Sequence, residues 1–324
     1  MTRSACLIFN PVAGQGDSEQ DLALICSILQ PAIALDIRFT TPEIDAAALA
    51  HQAVKDGVEA IIASGGDGTI SAATAALAGT EIPLGVISRG TANAFANALD
   101  LPTGIEEACH TILAGSTRTV DTATCNGLPM VLLAGIGFEA ETVDLADRDS
   151  KDRLGMLAYV LAGIEQLRRL NHFEVEIETE DKIINVTASA ITIANAAPPT
   201  SILAQGSAGV IFDDGLLDLT IVSPANKVGA IAASYDLLTS ALRGDAVQRE
   251  DVGYLRARRF RVTTNPPQKV VLDGEIIGDT PIDVECLPHG LKVFSPQVEE
   301  VQLTEKLTGL PNLTVTMKET ADEE

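Results

Sequence analysis

Positive charge is scarce in this chain: 22 lysines and arginines face 45 aspartates and glutamates over 324 residues, a formal charge of −23. Phosphate backbones are bound by clustered cations, so nucleic acid is excluded as a main partner. Contact with an anionic membrane would have to be local and partly apolar. Cysteine is thin as well. Cys6, Cys26, Cys109, Cys125 and Cys286 are odd in number and lack metal-type spacing, which fits a reducing cytoplasm rather than a disulfide framework or a zinc site. The four histidines are dispersed, and the sequence shows no Cys-His or Ser-His-Asp pattern. No apolar run reaches membrane-spanning length, and Met1 to Asn10 turns polar too soon for a signal peptide. A Gly-Lys-Ser/Thr ending is also missing, which excludes ordinary P-loop chemistry. The expectation is a soluble protein with one large domain or two.

What the first third does contain is a repeated pattern of strand, glycine turn and helix. Ile61 to Ala63 reads as a buried strand, Gly65-Gly66-Asp67-Gly68-Thr69 as a turn, and Ser71 to Leu77 as a helix. Glycines let a backbone approach an anion closely, and a helix start points free N–H groups at it. Asp67 would repel a bare phosphate, so its presence makes sense with a divalent cation or bound water between them. A second turn, Asn10-Pro11-Val12-Ala13-Gly14, follows the strand Cys6 to Phe9 and precedes a helix over Ser18 to Leu29. Strand Leu35 to Thr40 and helix Asp45 to Asp56 come next. A third turn, Gly90-Thr91, follows strand Leu84 to Ile87 and leads to a helix with Asn93 in its first turn; the Thr91 hydroxyl and Asn93 amide could hold a phosphate or a metal-bound water. Alternation of this kind implies a doubly wound parallel sheet whose ligands gather beyond the strand ends, where all three turns lie.

Asn10-Pro11-x-x-Gly14, Gly65-Gly66-Asp67-Gly68-Thr69 and Gly90-Thr91-Ala92-Asn93 with Phe95-Ala96 together resemble the nucleotide-site motifs of the diacylglycerol kinase catalytic-domain family, which includes bacterial soluble lipid kinases and sphingosine kinases. NAD kinases and phosphofructokinases carry similar Gly-Gly-Asp loops; the Gly-Thr-x-Asn turn downstream separates them. The resemblance implies an N-terminal α/β domain over residues 1–126, with an NAD kinase/phosphofructokinase-like sheet completed by about 296–317. It also implies a mainly β, sandwich-like lipid domain over 127–295 and an acidic tail over 318–324. ATP would be held by Asn10, Pro11, Val12, Ala13, Gly14, Gly65, Gly66, Asp67, Gly68, Thr69, Ile70, Ser71 and Thr91, with Thr41 near the nucleotide's edge. Where the family usually has Asp and Arg, this chain has Ala94 and Asn97.

Beyond Phe173 the grammar changes to alternation, as in Phe173-Glu174-Val175-Glu176-Ile177-Glu178. Further strands are expected at Thr117–Cys125, Ile184–Ala194, Leu217–Val222, Arg258–Thr263, Val270–Leu272, Ile282–Cys286 and Leu291–Phe294, with helices over Leu154–Leu170 and about Lys227–Leu242. The first of these helices is either a lid on lipid chains or a helix packed on its own core. Arg256, Arg258, Arg259 and Arg261 form the one dense positive cluster, read either as a headgroup contact or as an ion-paired strand face.

The resemblance assigns chemistry to three acidic stretches, Asp121, Asp213-Asp214 and Asp273 to Glu275, and each also has a plain reading as a strand-end or hairpin carboxylate. The resemblance gives Glu275, in Asp273-Gly274-Glu275, the acceptor's proton, and has Asp273 and Asp121 orient the acceptor hydroxyl or the active-site water network. It makes the Asp213-Asp214-Gly215 turn a structural magnesium site, with the Asp214 side chain and the Ile211 and Leu216 main-chain oxygens as ligands. The function it implies is ATP- and magnesium-dependent phosphorylation of a lipid alcohol at a membrane surface, diacylglycerol first. The protein would be cytoplasmic and transiently peripheral to the membrane, and a homodimer is among the expected assemblies. Rival readings are a kinase for a sphingoid base, phosphatidylglycerol or NAD, and a non-catalytic nucleotide or lipid sensor.

Overall fold

The computed structural model describes residues 3–14, 16–137, 172–198, 201, 204, 210–223 and 251–296. The helices expected at 154–170 and 227–242, and the chain beyond 296, lie outside the described residues.

Strands β1 (Arg3–Phe9), β3 (Ile61–Gly65) and β4 (Leu84–Ser88) are almost wholly buried, as strands covered on both faces must be. Their side chains alternate between two cores. Cys6, Ile8, Ile61, Ala63, Leu84 and Val86 meet helices α2 (Ala46–Asp56) and α3 (Asp67–Leu77) on one face. Ala5, Leu7, Phe9, Ile62 and Ile87 meet α1 (Ser18–Leu29) and α5 (Ile105–Ala114) on the other. Aspartates start two of these helices. Asp17 accepts from the Glu19 and Gln20 N–H groups at 3.0 and 3.3 Å, and Asp45 from that of Ala48 at 2.8 Å, satisfying donors that a helix start leaves free. With β2 (Ile33–Phe39) the strands lie parallel in the order β2-β1-β3-β4. The order reverses between β1 and β3, so a crevice opens beyond their C-terminal ends.

The sheet continues past β4. Strand β16 (Ile282–Phe294) lies parallel to β4 at Val293 and Leu84, and antiparallel to β5 (Thr117–Cys125). Its first residues pair instead with β13 (Arg259–Asn265), after which come β8 (Phe173–Glu178) and β9 (Ile183–Ala188). A short β6 (Leu128–Met130) pairs with β5. The second sheet is antiparallel throughout and runs β12 (Val252–Ala257), β11 (Leu217–Val222), β10 (Ala190–Ala194), β7 (Leu133–Gly137), β14 (Lys269–Leu272), β15 (Glu275–Asp279). Ile136, Ile191, Ile193 and Leu219 of this sheet share one core with Val175, Ile177, Phe260 and Val284 of the first. The molecule is thus an N-terminal α/β unit joined through β16 to a β sandwich.

Four elements differ from the expectation. Helix α3 begins at Asp67 rather than Ser71, because Gly66 takes an extended N-cap conformation and its carbonyl accepts from Thr69 and Ile70 at 3.0 and 3.1 Å. The strand expected over Ile184–Ala194 breaks at Ser189, where the chain passes from one sheet to the other. The two strands expected after Ile282 are one, with its register to β5 shifting between Leu287 and Leu291. The arginine cluster is divided as well: β12 ends at Ala257 and β13 starts at Arg259, in different sheets. Arg256 faces Asp214 and Asp218, and Arg259 pairs with Asp283, so the ion-paired reading of the cluster fits these two.

Candidate functional site

The three turns meet at the crevice between β1 and β3. Asn10 Nδ2 donates to the Thr69 hydroxyl at 2.9 Å, which ties the first turn to the first turn of α3. Asn10 Oδ1 accepts from the Val12 N–H at 3.2 Å and shapes its own loop. Gly14 has φ +90, and a β-carbon there would stand 3.0 Å from the Arg89 carbonyl oxygen, so a side chain is excluded by both conformation and space. A β-carbon on Gly90 would stand 3.1 Å from the α-carbon of Gly66. The second and third turns therefore touch backbone to backbone.

Beneath them lies a residue that sequence reading passed over. The Arg89 side chain is only 2% exposed. Its Nε donates to Asp21 of α1 at 2.8 Å and its Nη1 to the Asn10 carbonyl at 2.9 Å, while the guanidinium stacks 4.3 Å from the centroid of Phe9. Its backbone N–H donates to the Gly65 carbonyl at 2.7 Å. One side chain thus joins the ends of β1 and β4 to α1. The signal was an arginine at the end of an otherwise apolar strand, inside the Gly90 motif.

Asp67 is the first residue of α3, where the helix dipole favours a carboxylate. Its Oδ1 accepts from the Phe95 N–H at 3.3 Å, which links it to α4 (Ala94–Ala98). Ala94 packs on the apolar core instead of presenting an acid, and Asn97 Nδ2 donates to the Ala92 carbonyl at 2.8 Å, bracing the loop. Asn93 adopts φ 48, and its Oδ1 is buried with no hydrogen-bond partner. Thr91 is exposed. Thr41, at the end of β2, spends its hydroxyl on its own turn, accepting from the Glu43 and Ile44 N–H groups at 3.3 and 3.1 Å.

Asp273 holds the hairpin between β14 and β15. Its carboxylate accepts from the N–H groups of Val131, Leu132 and Leu133 at 2.8, 2.9 and 2.9 Å. Burial raises this carboxyl above the usual carboxylate range, and the three amides pull against that shift. Val131 and Leu132 pack in the same core as Ile70, Phe95 and Ala96, so Asp273 fastens the hairpin to the segment that lies against α3 and α4. Glu275, two residues on, is exposed at the start of β15.

Asp121 lies elsewhere. Val293 pairs with Leu84 at the start of β4, and Leu291 with Val120, so Asp121 stands beyond the N-terminal end of β4 whereas Gly90 follows its C-terminal end. The five residues of β4 alone separate these levels by roughly 15 Å. Asp121 is 2% exposed, and its two oxygens accept from the Gly215 and His289 N–H groups, each at 2.7 Å. Asn195, also buried, donates to the Asp121 and Val131 carbonyls at 3.1 and 2.9 Å. Asp121 is a structural hub of the domain junction rather than a partner of Asp67. Asp121→Ala leaves two part-buried N–H groups without their acceptor and is expected to lower the unfolding free energy by about 1–3 kcal/mol in denaturant melts, with nucleotide affinity of the folded protein unchanged. Wild-type stability in that variant would remove the hub.

At the Asp213-Asp214-Gly215 turn the residues do not suit a divalent ion. Asp214 Oδ1 accepts from the Leu216 N–H at 3.1 Å, and Oδ2 accepts from the Arg256 guanidinium. Arg256 Nε also stands 3.1 Å from Asp218 Oδ1. Burial pushes the Asp218 carboxyl up to about 6 in spite of that neighbour. Among the described residues no group of three or more His, Cys, Asp or Glu could hold a metal ion.

Comparison with known proteins agrees with this architecture. Residues 4–125 match the family described as diacylglycerol kinase catalytic domain, and residues 133–295 the YegS C-terminal NAD kinase beta sandwich-like domain. A Synechocystis protein designated sll0036 is 51% identical over 306 residues, which cover 91% of this chain and 71% of the relative. A Bacillus subtilis protein named diacylglycerol kinase is 32% identical over 307 residues, 93% of this chain and 99% of the relative. A crystal structure of a Bacillus anthracis diacylglycerol kinase superposes with a TM-score of 0.75 at 28% identity, covering 91% of this chain and 97% of that one. The chain belongs to the diacylglycerol kinase catalytic-domain family of lipid kinases.

Proposed function

We propose that the protein transfers the γ-phosphate of ATP to the hydroxyl of a lipid alcohol, with diacylglycerol as acceptor and phosphatidic acid as product. The observation that carries this reading is the meeting of the Asn10, Gly66 and Gly90 turns over the Arg89 guanidinium at the strand-order reversal. Phosphates would lie against the start of α3 and the backbone of Gly65 to Thr69, with Asn10, Gly14 and Thr91 at the sides. Magnesium travelling with ATP would neutralise charge developing on the transferred group, and Asp67 would be the carboxylate that receives it. Glu275 would take the acceptor's proton as its oxygen bonds to the γ-phosphorus and the bond to the β-phosphate oxygen breaks, releasing ADP. Asp273 would fix the hairpin that carries Glu275. Residues 1–126 would then serve the nucleotide and 127–295 the acceptor.

With a net charge of −23, the lipid would be met at a membrane surface through a local contact. Among the described residues no helix is long and apolar enough to cross a membrane. The test is transfer of labelled γ-phosphate from ATP, with magnesium, to diacylglycerol, monoacylglycerol, a sphingoid base, phosphatidylglycerol and a polyprenol in mixed micelles, with NAD as a soluble control. Labelled phosphatidic acid is the expected product. Preferential labelling of NAD, or ATP binding without any labelled lipid, would overturn the reading.

A further inference from the structure

We propose that this chain supplies its own cation at the Asp214 turn: the guanidinium of Arg256 stands where the family resemblance would put a divalent ion, and the turn folds without metal. Strand pairing sets Arg256 there, because Asp218 and Arg256 are direct partners in the β11 and β12 register. From that position its Nη2 reaches Asp214 Oδ2 and its Nε approaches Asp218 Oδ1. The side chains of Arg256, Asp214 and Asp218 are 31%, 27% and 2% exposed, so the cation sits in a partly closed site where it is only weakly screened.

The carboxylate oxygens around the turn are mostly committed. Both oxygens of Asp214 carry hydrogen bonds, and both of Asp121 are taken by the Gly215 and His289 amides. One buried carboxylate oxygen, Asp218 Oδ2, carries no partner. Magnesium can take the rest of its shell from water and main-chain carbonyls, but its protein charge comes from one or two carboxylates, and the only open carboxylate oxygen among these three aspartates adjoins the guanidinium. An ion bound at Asp214 would also stand against the guanidinium on the same oxygen, and like charges at that distance repel strongly. Arg256 instead balances two carboxylates and ties residues 211–218 to β12.

The experiment is thermal melting of the protein without nucleotide or lipid, in EDTA and in millimolar magnesium or calcium chloride. Wild type is expected to melt at one temperature in all three. A bound structural ion at a hundred times its Kd would separate the curves by on the order of 5 °C. Arg256→Met keeps most of the stem and removes the charge; it is expected to melt lower in EDTA and to regain several degrees with magnesium or calcium. Asp214→Asn in the Arg256→Met background is expected to abolish that recovery. A wild-type curve that falls in EDTA overturns the proposal, as does an Arg256→Met protein that melts like wild type and ignores metal. Should Arg256→Met not fold, the wild-type curves still decide between the two outcomes. No substrate is involved, so the result is independent of the kinase reading.

Discussion

On the proposed reaction, Glu275→Gln is expected to lower lipid phosphorylation by about a hundred- to ten-thousand-fold, the range that loss of a general base typically costs, while ATP binds as before. The substitution keeps the shape of the side chain and removes its capacity to take a proton. Glu275 is exposed at the start of β15, and the hairpin is held by Asp273 through three main-chain amides. A fall in kcat without a change in the KM for ATP is therefore expected, with the melting curve of wild type. The kinetic split separates a catalytic from a structural role, because a disturbed hairpin would also move stability. Undiminished turnover in Glu275→Gln would send the search for the base elsewhere in the molecule.

Residues differ in how far their role was readable from the chain alone. The three turns were legible because the chemistry that specifies them is local. Gly14 needs a positive φ, Gly90 needs a close backbone approach, and Asp17 and Asp45 cap helices within three residues of themselves. The doubly wound sheet followed from alternation of the same local signals. Asp121 was not legible in this way. Its partners are 94 and 168 residues away; the antiparallel pairing of β5 with β16 brings up His289, and the turn before β11 brings up Gly215. The same holds for Asp273, whose amide donors lie about 140 residues upstream, and for Arg256, whose neighbours are fixed by a strand register that no motif announces. The start of α3 was placed too late for the opposite reason: a glycine pair suggests a long turn, whereas Gly66 serves as an N-cap and the helix begins at once.

Arg89→Ala is expected to raise the KM for ATP by at least about tenfold and to cost about 3 kcal/mol of stability, since removing one partner of a buried ion pair leaves the other uncompensated. The partner is Asp21, whose side chain remains 25% exposed, and water entering at that side holds the cost at the low end of the range for buried pairs. A second effect falls on nucleotide binding. With Arg89 gone, the Asn10 carbonyl keeps only the Ala13 N–H, at 3.3 Å, Phe9 loses the cation over its ring, and the Arg89 link from α1 to the ends of β1 and β4 is lost. The Asn10 to Gly14 loop then has more conformations to lose when it closes on phosphate, which appears in KM more than in kcat. Arg89→Lys tests the geometry: it keeps a charge near Asp21 but lacks the planar fork that serves Asp21 and the Asn10 carbonyl together while lying flat on Phe9. That variant should recover most of the stability and little of the nucleotide affinity, read by denaturant melts and by titration with ATP. Full recovery of both by lysine would show that the charge alone matters, and an alanine variant with unchanged KM would remove Arg89 from the support of the site.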